Sequence, residues 1–253
     1  MAGKPVRLLC LHGYKQNGDV FRKKTGAFRK LLKKTAEYHF ITAPHLIPQT
    51  EGGEENLTGW WFSAEGRSYV AQDVTDFSAG LDESLDLVAR NLKDHGPFDG
   101  ILAFSQGASL LSIICSLREK GDERFQALCC AIFVAGYRSR QTAHQELYAD
   151  LVTIPTLHVI GDTDQVIPRA MSDDMLRNFQ DPVVLRHDGG HFVPSKSAQK
   201  SAYVDFLKNA CAWNACAVSR EESFFRVDLR KIAFSTFFRV SAKRSLRSLL
   251  FTS

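Results

Sequence analysis

The chain has 253 residues, of which 44% are hydrophobic and 24% are charged, the composition of a folded globular protein. No apolar run reaches the roughly 18 residues that a membrane span needs, so the sequence predicts no transmembrane segment. The net charge of +4 is unevenly placed, because residues 214–253 hold eight Lys or Arg against three Asp or Glu. The remainder is nearly neutral and gives no indication of nucleic-acid binding.

Predicted strands and helices alternate along the first 212 residues. The strands read as continuous apolar runs at 6–11, 39–42, 99–104, 128–135, 156–160 and 183–187. The helical patterns lie at 20–34, 77–95, 106–120 and 196–212, and a long irregular loop spans 44–68. Strands buried on both sides that alternate with helices predict an α/β fold, with a mostly parallel central sheet flanked by helices on both faces. We expect one such domain over residues 1–213.

Six cysteines are present, at positions 10, 115, 129, 130, 211 and 216. None shows C-x-x-C spacing, and most lie in apolar runs, which favours reduced thiols in the core of a cytoplasmic protein. Ligand pairs at short spacing are missing, so we expect no metal site. The first apolar run is too short for a signal peptide and leads directly into a motif. We therefore expect a cytoplasmic protein, which could also enter the nucleus.

One serine separates the strand 99–104 from the helix 106–120, in the sequence Ala103-Phe-Ser-Gln-Gly107. Small neighbours permit the sharp strand-to-helix turn that presents a nucleophilic serine in the pattern G-x-S-x-G. Here alanine stands at the first position, which loosens the match, and taken alone the motif favours an ordinary buried or loop serine at Ser105. A nucleophilic role requires a general base and an acid that orients it.

Candidates for both partners follow later strands. Asp164 lies in the loop GDTDQVIP after the strand 156–160, and His191 lies in GGHFVP before the last helix. The chain order Ser, Asp, His is that of the α/β-hydrolases. Asp162 competes for the acid role, but its position directly after the strand favours bracing of the loop. The sequence predicts a triad of Ser105, Asp164 and His191.

Acyl transfer also needs donors for the developing oxyanion, generally two backbone N–H groups. The N–H of Gln106, directly after the serine, is one candidate. The loop LHGYKQNG after the first strand supplies the other, because Gly13 lets the backbone turn and makes the N–H of Tyr14 available. His12 in the same loop could be taken for the base, although its place beside Gly13 favours bracing of the loop.

The sequence Gly59-Trp-Trp-Phe-Ser63 places three aromatic residues in the long polar loop. Burial in the core is one explanation, since aromatic side chains bury much area. Adjacent side chains of an extended segment point in different directions, so at least one of the two indoles could instead line an apolar pocket. We name Trp60 and Trp61 as candidates for substrate binding.

Several motifs in this order resemble those of the family of serine hydrolases, a eukaryotic group known from yeast. They are LHGYKQNG, FRKKTGAFRKLLK, GWWFS, GPFDGILAFSQGA, LHVIGDTDQVIP and GGHFVP, within Val6 to Cys211. The resemblance implies an α/β-hydrolase fold and carboxylesterase activity with a preference for long-chain alkyl or acyl esters. It places the nucleophile on Ser105, the acid on Asp164 and the base on His191. Ala103 departs from the glycine usual in the wider superfamily.

The last forty residues do not fit that resemblance. Residues 214–253 are basic and rich in phenylalanine. One interpretation is an amphipathic segment that lies on a membrane surface. The other, which we favour, is a poorly ordered extension, because no single helical face collects the apolar residues.

These patterns together predict a serine carboxylesterase that acts on a small-molecule ester with an apolar acyl or alkyl chain, through an acyl-enzyme intermediate. The chemistry needs neither a metal nor an organic cofactor. Two alternatives stay open at this point. One is an acyl thioesterase with the same triad, and the other is a catalytically silent acyl-binding protein on a hydrolase scaffold. The oligomeric state cannot be predicted from the sequence.

Overall fold

The structure is a computed structural model that describes residues 4–48 and 56–210. Within them, six strands form one sheet in the order β2-β1-β5-β6-β7-β8, and every pair of neighbours is parallel. The strands are β1 (Val6–Leu11), β2 (Ala36–Ile41), β5 (Gly100–Phe104), β6 (Ala131–Val134), β7 (Thr156–Gly161) and β8 (Val183–His187). Two further strands, β3 (His45–Leu46) and β4 (Thr58–Gly59), pair with each other antiparallel. The predicted parallel sheet is confirmed. The division at residue 213 and the extension after it lie outside the described residues.

The helices differ from the predicted ones in three places, because the first is divided, the second begins later, and a short helix at Arg169–Met175 was not predicted. They are α1 (Gly18–Lys24), α2 (Gly26–Leu31), α3 (Leu81–His95), α4 (Gln106–Glu119), α5 (Arg169–Met175) and α6 over 200–210. The predicted helix 20–34 is divided at Thr25, whose hydroxyl donates to the carbonyl of Phe21 at 2.7 Å and competes with the helical pattern. Gly80 has a φ of +89°, so α3 begins after it and not at 77. In the described part of the chain, no helix has the length and apolar character to cross a bilayer.

Helices cover both faces of the sheet, because alternate residues of each buried strand point to opposite sides. On one face α1, α2 and α6 contribute aromatic and aliphatic side chains, which are Phe21, Phe28, Tyr203, Phe206 and Leu207. On the other face α3 and α4 contribute Leu85, Val88, Leu110, Leu111 and Ile114. The expected arrangement of a central sheet between two helical layers is thus confirmed.

The strand order reverses at β1, and this reversal positions the candidate site. β1 pairs with β2 on one side and with β5 on the other. The chain leaves β1 toward α1 on one face of the sheet, whereas it leaves β5 toward α4 on the opposite face. Loops that diverge in this way open a crevice beyond the carboxyl ends of the two strands, which is where α/β proteins bind ligands.

Four histidines of the described residues are buried, and three of them, His12, His144 and His158, are at most 3% exposed. Burial disfavours the imidazolium form and lowers the pKa of His12 and of His144 to about 4, and that of His158 to about 3. His158 packs against both Phe133 and Phe179, with each ring centroid 4.6 Å away. The folded protein therefore holds these rings neutral at pH values where the unfolded chain would protonate them.

We predict that the free energy of unfolding is greatest above pH 6.5 and falls as the pH is lowered toward 4. Because the folded pKa values lie below the ordinary value of 6.5, the unfolded state binds more protons in this window, and each histidine contributes up to about 1.4 kcal/mol per pH unit. Urea denaturation at a series of pH values measures the slope. His158→Phe removes one titrating ring and should flatten it, and an identical slope for variant and wild type would contradict this explanation.

Candidate active site

Ser105 alone separates β5 from α4, at φ +53° and ψ −119°. This backbone conformation is unfavourable for a residue with a Cβ and persists only where its surroundings impose it. The N–H of Ser105 donates to the carbonyl of Val134 at 2.9 Å, and its own carbonyl accepts from the N–H of Ser109 at 3.0 Å. The turn is therefore held from the neighbouring strand and from the first turn of the helix.

Gly107 explains why small residues surround the serine. A Cβ at this position would lie 2.5 Å from the carbonyl oxygen of His12 and 2.8 Å from that of Leu11. Glycine thus lets α4 begin directly against the chain that leaves β1. Ala103, at the other small position of the motif, is fully buried within β5. Its methyl group fits there, so the looser sequence match does not prevent the sharp turn.

His191 lies between the serine and an aspartate. Its Nε2 is 3.0 Å from Ser105 Oγ, and its Nδ1 is 2.7 Å from Asp164 Oδ2. An ionised carboxylate can only accept hydrogen bonds, so Nδ1 carries the proton and Nε2 accepts from the serine hydroxyl. This is the arrangement in which an imidazole can remove the hydroxyl proton while a carboxylate stabilises the resulting positive charge.

Asp164 is held as an anion in a buried position. Its Oδ1 accepts from the N–H groups of Val166 and Ile167, both at 2.9 Å. Burial alone would raise the pKa of Asp164, but the hydrogen bonds from His191, Ile167 and Val166 outweigh burial and lower it. Asp162, the competing acid, instead forms an exposed ion pair with Arg169 at 3.2 Å. The structure brings Asp164 to the histidine and Asp162 to the surface.

Glycines allow the loops that carry the aspartate and the histidine to touch. A Cβ on Gly161 would lie 2.6 Å from the carbonyl oxygens of both Gly189 and Gly190. The ring of His191 also packs against the ring of Phe104, with 4.7 Å between centroids. The orientation of the histidine therefore depends on backbone contacts on one side and on the end of β5 on the other.

The loop after β1 passes directly beside the serine. A Cβ on Gly13 would lie 3.2 Å from Ser105 Cβ. The next peptide N–H along this loop belongs to Tyr14, the first candidate oxyanion donor. Gln106, the second, is the first residue of α4, so its N–H has no acceptor within the helix. The two candidate donors thus flank the turn at the serine.

His12 fixes the peptide group that contains the Tyr14 N–H. Its Nε2 accepts from the backbone N–H of Ala43 at 2.9 Å, so the ring proton is on Nδ1 and is donated to the carbonyl of Gly13 at 2.7 Å. That carbonyl and the Tyr14 N–H belong to one trans peptide and point in opposite directions. The ring of His12 therefore orients the candidate donor, as expected for a brace and not for a base.

The two tryptophans require a correction. Trp60 and Trp61 are both 0% exposed, so neither presents surface to a substrate in this structure. The indole N–H of Trp60 donates to the carbonyl of His12 at 2.7 Å, and that of Trp61 donates to Gln141 Oε1 at 2.7 Å. Their buried hydrogen bonds make them part of the framework behind the site and not the wall of a pocket.

Two apolar side chains that the sequence patterns did not single out are exposed and lie close to the candidate triad along the chain. Phe192 follows His191 and is 47% exposed, and Val166, two residues after Asp164, is 53% exposed. The side chain of Gln72 donates to the carbonyl of Val166 at 3.2 Å, which joins the loop between β4 and α3 to this rim. Single apolar residues in loops produce no periodic pattern, so sequence reasoning had no signal for them.

Known proteins resemble the chain over most of its length. A sequence model described as serine hydrolase (FSH1) matches residues 1–203. Proteins named Esterase OVCA2 from Danio rerio and Xenopus tropicalis are 48% and 45% identical over 224 and 212 residues. These matches cover 82% and 80% of this chain, and 99% and 92% of the relatives. The crystal structure of Zea mays acyl-protein thioesterase 2 matches at a TM-score of 0.52 and 18% identity, covering 80% of this chain and 94% of that one. The expected α/β-hydrolase fold is confirmed.

The contrast between the two aspartates generates a prediction that needs no knowledge of the substrate. Asp164→Asn should slow the reaction of Ser105 with a fluorophosphonate by about 10²–10⁴-fold, the usual contribution of a general base, because the amide no longer fixes the tautomer of His191. Asp162→Asn should react at the wild-type rate. Equal losses in both variants, measured as second-order rate constants of labelling, would contradict this assignment.

Proposed function

Because the chain belongs to the serine hydrolase (FSH1) family, we propose that it hydrolyses carboxylic esters with Ser105 as nucleophile, His191 as general base and Asp164 as the orienting acid. Its relatives carry the name esterase. The observation that carries the assignment of residues is the unbroken chain of hydrogen bonds from Ser105 Oγ through both nitrogens of His191 to Asp164.

In the first half of the reaction, Ser105 Oγ attacks the ester carbonyl as His191 Nε2 takes the hydroxyl proton. The tetrahedral intermediate then breaks its bond to the alkoxy oxygen, and His191 returns the proton to the leaving alcohol. Asp164, kept ionised by its hydrogen bonds, stabilises the transient imidazolium. The acyl group is left as an ester on Ser105.

The second half repeats these steps with water. His191 removes a proton from a water molecule, which attacks the acyl carbon. The second intermediate then breaks its bond to Ser105 Oγ, which takes the proton back from His191, and the carboxylic acid is released. The negative oxygen of both intermediates accepts hydrogen bonds from the N–H groups of Tyr14 and Gln106. Each such donor typically contributes about 10²–10³-fold to the rate.

We propose that an apolar acyl or alkyl chain of the substrate binds against the exposed rim formed by Phe192 and Val166. Phe192 and Val166 are supporting observations, because they follow closely on His191 and Asp164 in the chain and are 47% and 53% exposed. One side of the Phe192 ring packs against His187, with 5.1 Å between centroids, and the rest of the side chain offers apolar surface. Removal of such surface from water on binding is favourable in proportion to its area. We propose that the substrate is a small ester whose apolar portion covers these side chains.

We further propose that the protein acts in the cytoplasm. Cys10 and Cys115 are buried thiols, and burial raises the pKa of both, so neither is poised to react as a thiolate. Such thiols are typical of proteins in a reducing compartment.

Hydrolysis of p-nitrophenyl esters with acyl chains of two to sixteen carbons tests the proposal. We expect wild type to turn over, with rates that increase toward the longer chains, and Ser105→Ala to lose at least about 10³-fold in kcat. Ser109→Ala, one turn further along α4, is the matched control and should keep the wild-type rate. Equal activity of Ser105→Ala and wild type would refute the assignment of the nucleophile.

A matched set of thioesters with the same acyl chains tests which bond is cleaved. Esters and thioesters with one acyl chain differ only in the leaving atom, so a ratio of their kcat/KM values compares the two chemistries directly. We expect the oxygen ester to be the better substrate. A clear preference for the thioester would replace carboxylesterase by acyl thioesterase and leave the triad unchanged.

A further inference from the structure

The side chain of Gln106 is fully buried and bonded at both of its polar atoms. Its Oε1 accepts from the backbone N–H of Trp60 at 2.9 Å, and its Nε2 donates to the carbonyl of Trp61 at 2.7 Å. One amide group therefore satisfies two peptide groups of the segment 60–61. The residue whose backbone N–H is a candidate oxyanion donor thus also holds, through its side chain, a segment that is distant in sequence.

Trp60 extends this connection to the other donor. Its indole N–H donates to the carbonyl of His12 at 2.7 Å, and its own carbonyl accepts from the hydroxyl of Ser84 on α3. The ring of Trp60 also lies 5.0 Å from the ring of His12 between centroids. A continuous path of buried contacts therefore runs from the start of α4, through Trp60, to the loop that carries the Tyr14 N–H.

We propose that the Gln106 side chain is a positioning residue, which fixes the separation of the two oxyanion donors through Trp60; this inference rests on the proposed function. Both donors must lie about 2.7–3.1 Å from one point, the place where the oxyanion forms. The two belong to different loops that leave the sheet toward opposite faces. The loops pack against each other at Gly107 and Gly13, and the amide of Gln106 and the indole of Trp60 join them by hydrogen bonds through the core.

A positioning role of Gln106 predicts different effects on kcat and on KM. A shift of one donor weakens a hydrogen bond that strengthens in the transition state, so it lowers kcat. The apolar rim at Phe192 and Val166 lies on other loops, so KM should change little. A role in stability alone would lower the midpoint of thermal unfolding and leave the kcat of the folded enzyme unchanged.

Gln141 offers a matched control. Its amide is also buried, at 2% exposure, and it also holds the aromatic segment, through the indole of Trp61 and the carbonyls of Phe62 and Phe77. Its bonds do not reach Trp60 or His12. Loss of the Gln141 amide should therefore lower the unfolding temperature, as loss of the Gln106 amide does, without moving either oxyanion donor.

The first experiment compares Gln106→Met with Gln141→Met, both of nearly unchanged size, in the full chain with a p-nitrophenyl ester. We expect both variants to unfold at lower temperature. Gln106→Met should lose about 10–10²-fold in kcat, less than the outright removal of a donor, with KM changed by no more than about threefold. Gln141→Met should keep kcat within about twofold. Equal kcat losses in the two variants, or a loss confined to stability, would overturn the proposal.

A second variant tests the proposal even if Gln106→Met does not fold. Gln106→Glu keeps the length and the acceptor for Trp60, but at neutral pH it places a carboxylate oxygen against the carbonyl of Trp61. Protonation of the introduced carboxyl restores a donor. The ratio of its kcat to that of wild type, taken well below both unfolding temperatures, should therefore increase as the pH falls. A ratio independent of pH would count against the proposal.

Ser105→Ala, assayed in parallel, distinguishes a failure of the proposed function from a failure of the positioning role. If it is as active as wild type, the proposed function itself fails. If it is inactive while Gln106→Met keeps full kcat, the function stands and only the positioning role is lost.

Discussion

The contact between the start of α4 and the end of β1 is the constraint on which the candidate site depends. Gly107 has no side chain, and any Cβ there would collide with the carbonyl of His12 at 2.5 Å. This close approach, together with the packing of Gly13 against Ser105, places the serine next to the loop that carries Tyr14. In the proposed mechanism the nearness matters because the candidate donor at the Tyr14 N–H must reach the oxyanion that forms at Ser105.

The close approach also explains why so many polar groups are buried behind the site. His12, Trp60 and Gln106 are all fully buried, and each makes hydrogen bonds to backbone groups of another loop. A buried polar group that loses its partner costs about 1–3 kcal/mol, so these groups are stable only as a complete set. Rigidity of the donors follows from this requirement, since no member can move without leaving another unpaired.

The sequence predicts best what depends on local pattern. Continuous apolar runs located the strands of the parallel sheet, and the loops that follow three of them located Ser105, Asp164 and His191 near one another. The break at Thr25 and the seven-residue helix α5 were missed, because a short helix leaves too few turns for a periodic pattern. The burial of Trp60 and Trp61 was missed for a different reason. Their partners, Gln106 and Gln141, are 45 to 80 positions away along the chain, where residue spacing carries no information.

The buried and exposed sides of the site therefore have different consequences for specificity. The candidate donors depend on interlocked groups in the core, and in the proposed mechanism a substitution there would affect every substrate through the transition state that all of them share. Phe192 and Val166 are about half exposed, and their apolar side chains take no part in the hydrogen bonds of Ser105, His191 and Asp164. Under the proposed function, a change of size at these positions would alter the apolar surface offered to a substrate chain and leave those hydrogen bonds in place. Chain-length preference could thus vary within this framework while the proposed chemistry stays constant.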